Sequence, residues 1–130
     1  MTVLVAYVPR PEGQAALAAG IDASKQRNER LVVVNAGPGG MQEDASVANA
    51  SDVERVEQVL RSSGVQGEVK QFIRGKDAVE EIQAMIESLQ VSLLVIGLRK
   101  RSPVGKLIMG SVAQELLLSV SCPVLAVKAE

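Results

Sequence analysis

The sequence contains no histidine and no tryptophan, and only one residue each of cysteine, tyrosine and phenylalanine. Without histidine, Ser-His-Asp and Cys-His nucleophile systems and every imidazole-based metal site are excluded. The lone cysteine, Cys122, cannot close an intramolecular disulfide, which is compatible with a reducing, cytoplasmic setting. No apolar run approaches the roughly 18 residues of a membrane span. The start, Met1-Thr2-Val3-Leu4-Val5, has neither the basic stretch nor the long apolar stretch of a signal peptide. An excess of one charge is missing too. The 14 Lys and Arg stand against 15 Asp and Glu, so nothing global attracts nucleic acid or a membrane surface. With Tyr7 and Phe72 as the only aromatics, a base-stacking platform for nucleic acid is lacking as well.

What is present is aliphatic. Of the 130 residues 47% are hydrophobic, enough for the core of one domain spanning residues 1–130. Five β-branched runs stand out: Val3 to Val8, Leu31 to Asn35, Glu68 to Ile73, Leu93 to Ile96 and Val124 to Val127. Four are apolar almost without alternation, as expected of parallel strands covered on both faces. The third alternates polar and apolar residues and reads as an edge strand. Helices are expected between them. Ala15 to Gln26 is Ala-rich, and Ser51-Asp52-Val53-Glu54 has the capping-box pattern ahead of Val56 and Leu60. Val79, Ile82, Ile86 and Leu89 form an apolar stripe that Asp77 can cap, and Ser111-Val112-Ala113-Gln114 opens a last helix through Leu116, Leu117 and Val120. The order β-α-β-α-β-α-β-α-β predicts a doubly wound parallel sheet with helices on both faces. Gly37 to Asn49 reads as an irregular surface loop.

In such sheets ligands bind beyond the carboxyl ends of the strands, where strand order reverses. The stretch after the fourth strand, Gly97 to Ser111, carries Arg99, Lys100, Arg101 and Lys106 and ends on Gly110-Ser111. A helix start offers unpaired N–H groups and a positive dipole end, glycine lets a phosphate approach the backbone, and serine adds a hydroxyl. Other phosphate motifs fail. Gly105-Lys106 lacks the upstream glycine and the following Ser or Thr of a Walker A loop. The turn after the first strand, Val8-Pro9-Arg10-Pro11-Glu12-Gly13, has no Gly-x-Gly-x-x-Gly.

Gly97, two residues, Lys100, nine residues and then Gly110-Ser111 resembles the nucleotide loop of the universal stress protein family, whose ATP-binding members carry Gly-x-x-Gly, nine residues, then Gly-Ser or Gly-Thr. Leu93-Leu94-Val95-Ile96-Gly97 is similar to that family's fourth strand, and Ser121-Cys122-Pro123-Val124-Leu125-Ala126-Val127-Lys128 to its last. The resemblance covers the whole chain and implies a Rossmann-like sheet of strand order 3-2-1-4-5. It implies a small cytoplasmic stress-response regulator that binds ATP or AMP, with Mg where ATP is bound, and that forms a homodimer through Val124–Val127. By position it puts the base near Ala6, Tyr7, Val8, Ala36 and Ile96, and the ribose and phosphates near Gly97, Arg99, Lys100, Gly110, Ser111 and Val112. Neither nucleic acid nor a membrane is an expected partner.

Two positions depart from the family pattern. Val8 stands where aspartate is common and offers the ligand no hydrogen bond, while Lys100 replaces the second glycine. A positive φ at Lys100 would cost roughly 1 kcal/mol. These departures keep open a dimeric interaction module of the same fold without nucleotide. A slow ATPase is a third reading, although position 8 lacks the acid that metal-assisted phosphoryl transfer uses, and no enzymatic activity is expected.

Overall fold

The computed structural model describes residues 1–35, 50–70, 78–101, 106–108 and 111–129. The chain runs β1 (Thr2–Tyr7), α1 (Pro11–Arg27), β2 (Arg30–Asn35), α2 (Ala50–Ser63), β3 (Gly67–Lys70), α3 (Ala78–Ser88), β4 (Val91–Arg101), β5 (Lys106–Ile108), α4 (Ser111–Ser119) and β6 (Val124–Lys128). β1 is buried along its whole length, as a strand covered on both faces must be. It pairs in parallel with β2 on one side and β4 on the other. β3 extends the sheet from β2, and β6 extends it from β4, both in parallel. The five parallel strands therefore stand in the order β3-β2-β1-β4-β6, which is the expected doubly wound order 3-2-1-4-5. Strand order reverses between β1 and β4.

Side-chain alternation along the strands divides the core in two. Val3, Val5, Tyr7, Leu31, Val33, Leu93 and Val95 pack with Leu17 and Ile21 of α1 and Val56 and Leu60 of α2. Leu4, Ala6, Val32, Val34, Leu94 and Ile96 face Val79, Ile82 and Ile86 of α3 and Leu116 of α4. α2 and α3 each bury one apolar stripe at helical spacing and leave the rest to solvent. β3 lies at one edge of the sheet, largely exposed, as its alternating sequence predicts.

Several boundaries differ from the sequence reading. α1 begins at Pro11, four residues before the Ala-rich stretch, because proline is preorganised for the first helical position. It ends at Asn28, which takes the left-handed conformation at φ 54. Ser51 lies inside α2 rather than capping it. Ser111 is the first residue of α4 and not the one before it. In α4, Leu116 is fully buried but Leu117 is 43% exposed, so the apolar stripe is narrower than expected. Gly37 to Asn49, the stretch Gln71 to Ile73 and Asp77 lie outside the described residues.

The largest correction concerns the stretch after Gly97. It is not a loop throughout. β4 runs on to Arg101, and Arg99, Lys100 and Arg101 pair antiparallel with Ile108, Leu107 and Lys106 of β5. Backbone hydrogen bonding with β5 satisfies groups that a solvated loop would leave to water.

α1 lies close against the sheet because of glycines at its contact points. A Cβ at Gly13 would stand 1.7 Å from the Val8 carbonyl oxygen, and one at Gly20 would stand 2.3 Å from Cγ2 of Val5. The first obstacle is backbone; the second is a methyl group of the buried Val5 side chain. Gly13→Ala is therefore expected to lower unfolding stability by about 2 to 3 kcal/mol. Gly20→Ala should lose less, since a methyl group met at 2.3 Å needs a smaller shift than a backbone carbonyl met at 1.7 Å. Urea unfolding of the two variants beside the wild type checks both the loss and the ranking.

Candidate functional site

The carboxyl ends of β1 and β4 define a crevice where strand order reverses, with α1 leaving one wall and the β4–β5 hairpin leading into α4 on the other. Ala6 and Ile96 are buried on the face covered by α3 and α4, and Val8 packs partly buried against the same cluster. Ala113 of α4 joins them there. The aliphatic candidates of the sequence reading thus fall on one face of the sheet, Ala6 and Ile96 within its core and Val8 partly exposed at the strand end.

Tyr7 goes the other way. Strand alternation turns its ring into the core under α1 and α2, where it is 3% exposed. Its hydroxyl accepts a hydrogen bond of 2.9 Å from Nε2 of Gln14 in the first turns of α1. Its backbone carbonyl accepts one of 3.1 Å from Nδ2 of Asn35 at the end of β2. These bonds tie the ends of β1 and β2 to the start of α1. Burial pushes the Tyr7 hydroxyl pKa above its usual value of 10.0, and the carboxylate of Asp52 pushes the same way. Arg55 and the Gln14 bond oppose them without prevailing.

Gly97 continues β4 opposite Val127 of β6. A Cβ there would meet the Glu12 carbonyl oxygen at 2.1 Å and the Glu12 Cβ at 3.0 Å. Glycine at this position is thus required by the close approach of α1, independently of any ligand. Arg99, two residues on, is exposed. Lys100 is in extended, paired backbone, and among the described residues the non-glycine positive φ values belong to Asn28 and Gln90. The strain expected at Lys100 does not arise. Ser111 and Val112 are the first two residues of α4, which has no acidic residue in its first turn. Ile108 pairs with Arg99, and three residues later α4 begins. At no more than about 3.5 Å per residue, the helix start lies within about 10 Å of that pair. Ala36 and Gly110 lie outside the described residues.

Glu12, Gln14 and Asn35 belong to no recognisable motif in the sequence. The signal available for them was positional: polar residues at the strand end and in the first turn of the helix that follows it. A separate pocket of about 360 Å³ lies where α1 and α2 end, bordered by Asn28, Arg30 and Gly64, at the opposite end of the strands from the crevice. Cys122 packs partly buried against the α3/α4 core, and burial pushes its thiol pKa up, consistent with a small apolar filler.

Fold and crevice together define a doubly wound, Rossmann-like α/β domain. The profile of the Universal stress protein family matches residues 1–128. A universal stress protein of Mycolicibacterium smegmatis is 47% identical over 126 residues, covering 97% of this chain and 96% of that protein. The structure of a universal stress protein from Archaeoglobus fulgidus superposes with a TM-score of 0.78 at 28% identity, covering 98% of this chain and 97% of that one. A universal stress protein from Archaeoglobus fulgidus in complex with dAMP shares the fold at a TM-score of 0.72 and 22% identity, over 98% and 96% of the chains. The chain belongs to the universal stress protein family.

Tyr7 is the single tyrosine, and there is no tryptophan, so tyrosinate ultraviolet absorbance reports it alone. Its titration midpoint in the native protein should lie above 10.0. In the unfolded chain the proton leaves near pH 10. The stabilisation from keeping it is therefore complete below about pH 10 and is lost as pH rises through the folded value. Relative to Tyr7→Phe, the wild type should lose stability over that alkaline window, which chemical unfolding at stepped pH would show.

Proposed function

We propose that this protein is a cytoplasmic regulator or sensor that binds an adenine nucleotide, AMP or ATP, across the crevice between β1 and β4. The observation that carries the reading is the placement of the α4 start directly after the basic pair of strands, 99–101 and 106–108. An anion there meets free N–H groups and the positive end of the helix dipole, with cationic residues on the adjoining backbone. Val8, partly exposed at the end of β1 and backed by the core residues Ala6 and Ile96, offers an aliphatic contact to the flat face of a base. The dAMP complex of the Archaeoglobus fulgidus relative supports the same ligand class for this chain. In this reading Gly97 and Lys100 flank the ribose and phosphate, Gly110 admits the phosphate to the backbone, and Ser111 and Val112 offer α4 donors to it. Ala36 borders the base, and Tyr7 contributes its backbone while its ring stays in the core.

Magnesium has no fitting donors at position 8, where valine is aliphatic and packed on the core. Among the described residues no group of three acidic or cysteine side chains could hold a metal ion. The proposed role is nucleotide binding. Isothermal titration with AMP and with ATP tests the reading. Arg99→Ala should weaken binding about tenfold, the usual worth of a hydrogen bond to a charged group. Absence of heat from either nucleotide at millimolar concentration overturns it.

Val8 favours a second reading, an interaction module of the same fold without nucleotide. Mass spectrometry of natively purified protein separates the two by the presence or absence of a co-purifying nucleotide. Both readings include a homodimer through Val124–Val127. β6 pairs with β4 on one side only among the described residues, and Leu125 on it is 40% exposed. A half-exposed apolar edge strand favours pairing with a second copy of itself. Sedimentation should give a dimer, and Leu125→Lys should shift it to monomer; a wild-type monomer at tens of micromolar overturns the proposal.

A further inference from the structure

The crevice has two poles, because the helix starts on its two sides are chemically unlike. α4 opens without an acidic residue in its first turn and follows the basic hairpin. α1 opens on Pro11, which has no N–H to offer, and carries Glu12 in its first turn. The Val8 carbonyl already accepts the Arg10 N–H at 2.8 Å and is covered by Gly13. An anion is thus drawn to the α4 side and turned away from the α1 side. A ligand spanning both must present phosphate to one pole and hydrogen-bond donors to the other.

Glu12 occupies the second pole. Its carbonyl and Cβ lie against Gly97, at the switch point of the sheet. α1 runs antiparallel to the strands, so its start sits past the carboxyl end of β1. Helical Cα–Cβ bonds tilt toward the helix start, which carries the Glu12 side chain outward beyond the strand ends. The residue is half-buried, and its carboxylate has no ion-pair or hydrogen-bond partner among the described residues. An ionised carboxylate only accepts hydrogen bonds. In chain order Gly97 stands between Ile96, in the core that backs the aliphatic side, and Arg99, at the basic pole. A nucleotide laid base to wall and phosphate to hairpin puts its sugar at Gly97.

We infer that Glu12 is a specificity-determining residue that accepts a hydrogen bond from a ribose hydroxyl of the bound nucleotide. This rests on the nucleotide reading above. It makes the protein discriminate against sugars lacking hydroxyls and sets the direction in which the ligand lies.

The test compares calorimetric titrations of AMP and 2′,3′-dideoxy-AMP into wild type, Glu12→Gln and Glu12→Ala. Wild type should bind AMP about tenfold more tightly than the dideoxy analogue, the fold-change expected of a charge-assisted bond. Glu12→Ala should bind both alike, at the affinity wild type has for the analogue, and Glu12→Gln should retain part of the preference. A first-turn acid that served only the helix dipole would change the melting temperature and leave the ligand ratio intact. Retention of the full preference in Glu12→Ala therefore overturns the inference, as does equal binding of the two ligands by wild type. Equal binding leaves the nucleotide reading standing, whereas no binding of either ligand removes both.

Discussion

The approach of α1 to the sheet is the constraint on which the site depends. Three glycines make it possible, and they are spread along its length: Gly13 and Gly20 on the helix, Gly97 on β4. At Gly13 and Gly97 the opposing atoms are backbone carbonyls, which cannot rotate away as a side chain can. The first turn of α1 is thereby fixed against the ends of both β1 and β4, the two strands between which the order reverses. Overpacking by one methyl at such contacts has no low-energy rotamer to absorb it. The crevice thus has a rigid wall on the α1 side, built before any ligand is considered. The Tyr7 bonds to Gln14 and Asn35 brace the same corner from inside the core.

On the other side, the wall is made by pairing. Antiparallel bonding of 99–101 with 106–108 pairs the end of β4 with β5, and α4 begins three residues after Ile108. This explains how the chain tolerates lysine where the family pattern has glycine. Position 100 is a strand position opposite Leu107, and a strand does not require the left-handed backbone that glycine supplies. The glycine requirement that remains, at Gly97, comes from α1 and not from the turn.

The sequence made the architecture legible because a parallel sheet covered on both faces needs nearly continuous apolar strands, and β1, β2 and β4 have them. The edge position of β3 followed from its alternation. The hairpin was not legible. Arg99-Lys100-Arg101 has the composition of a solvated loop, and its strand state comes from a tertiary partner, Lys106–Ile108, that has no pattern of its own over three residues. By position Tyr7 falls at the site, but its ring belongs to the core because strand parity, fixed by Val3 and Val5, assigns it to the α1 face. Gly97 was legible as special, but for a reason the sequence could not distinguish: a ligand and a helix backbone both exclude a Cβ.

Two-faced winding also sets the electrostatics of the crevice. Right-handed crossovers bring α1 from β1 onto one face and α4 from β4 onto the other, so each strand end hands its helix start to the same cleft. Two identical helix starts would attract anions equally and give a ligand no direction. Here proline and glutamate blunt the α1 start, and the basic hairpin reinforces the α4 start. Position 8 itself carries an aliphatic side chain, Val8. In this chain the acid beside the switch point is Glu12, in the first turn of the helix. There the glycine contact with β4 holds Glu12, while Val8 is free to close the aliphatic wall against α3 and α4.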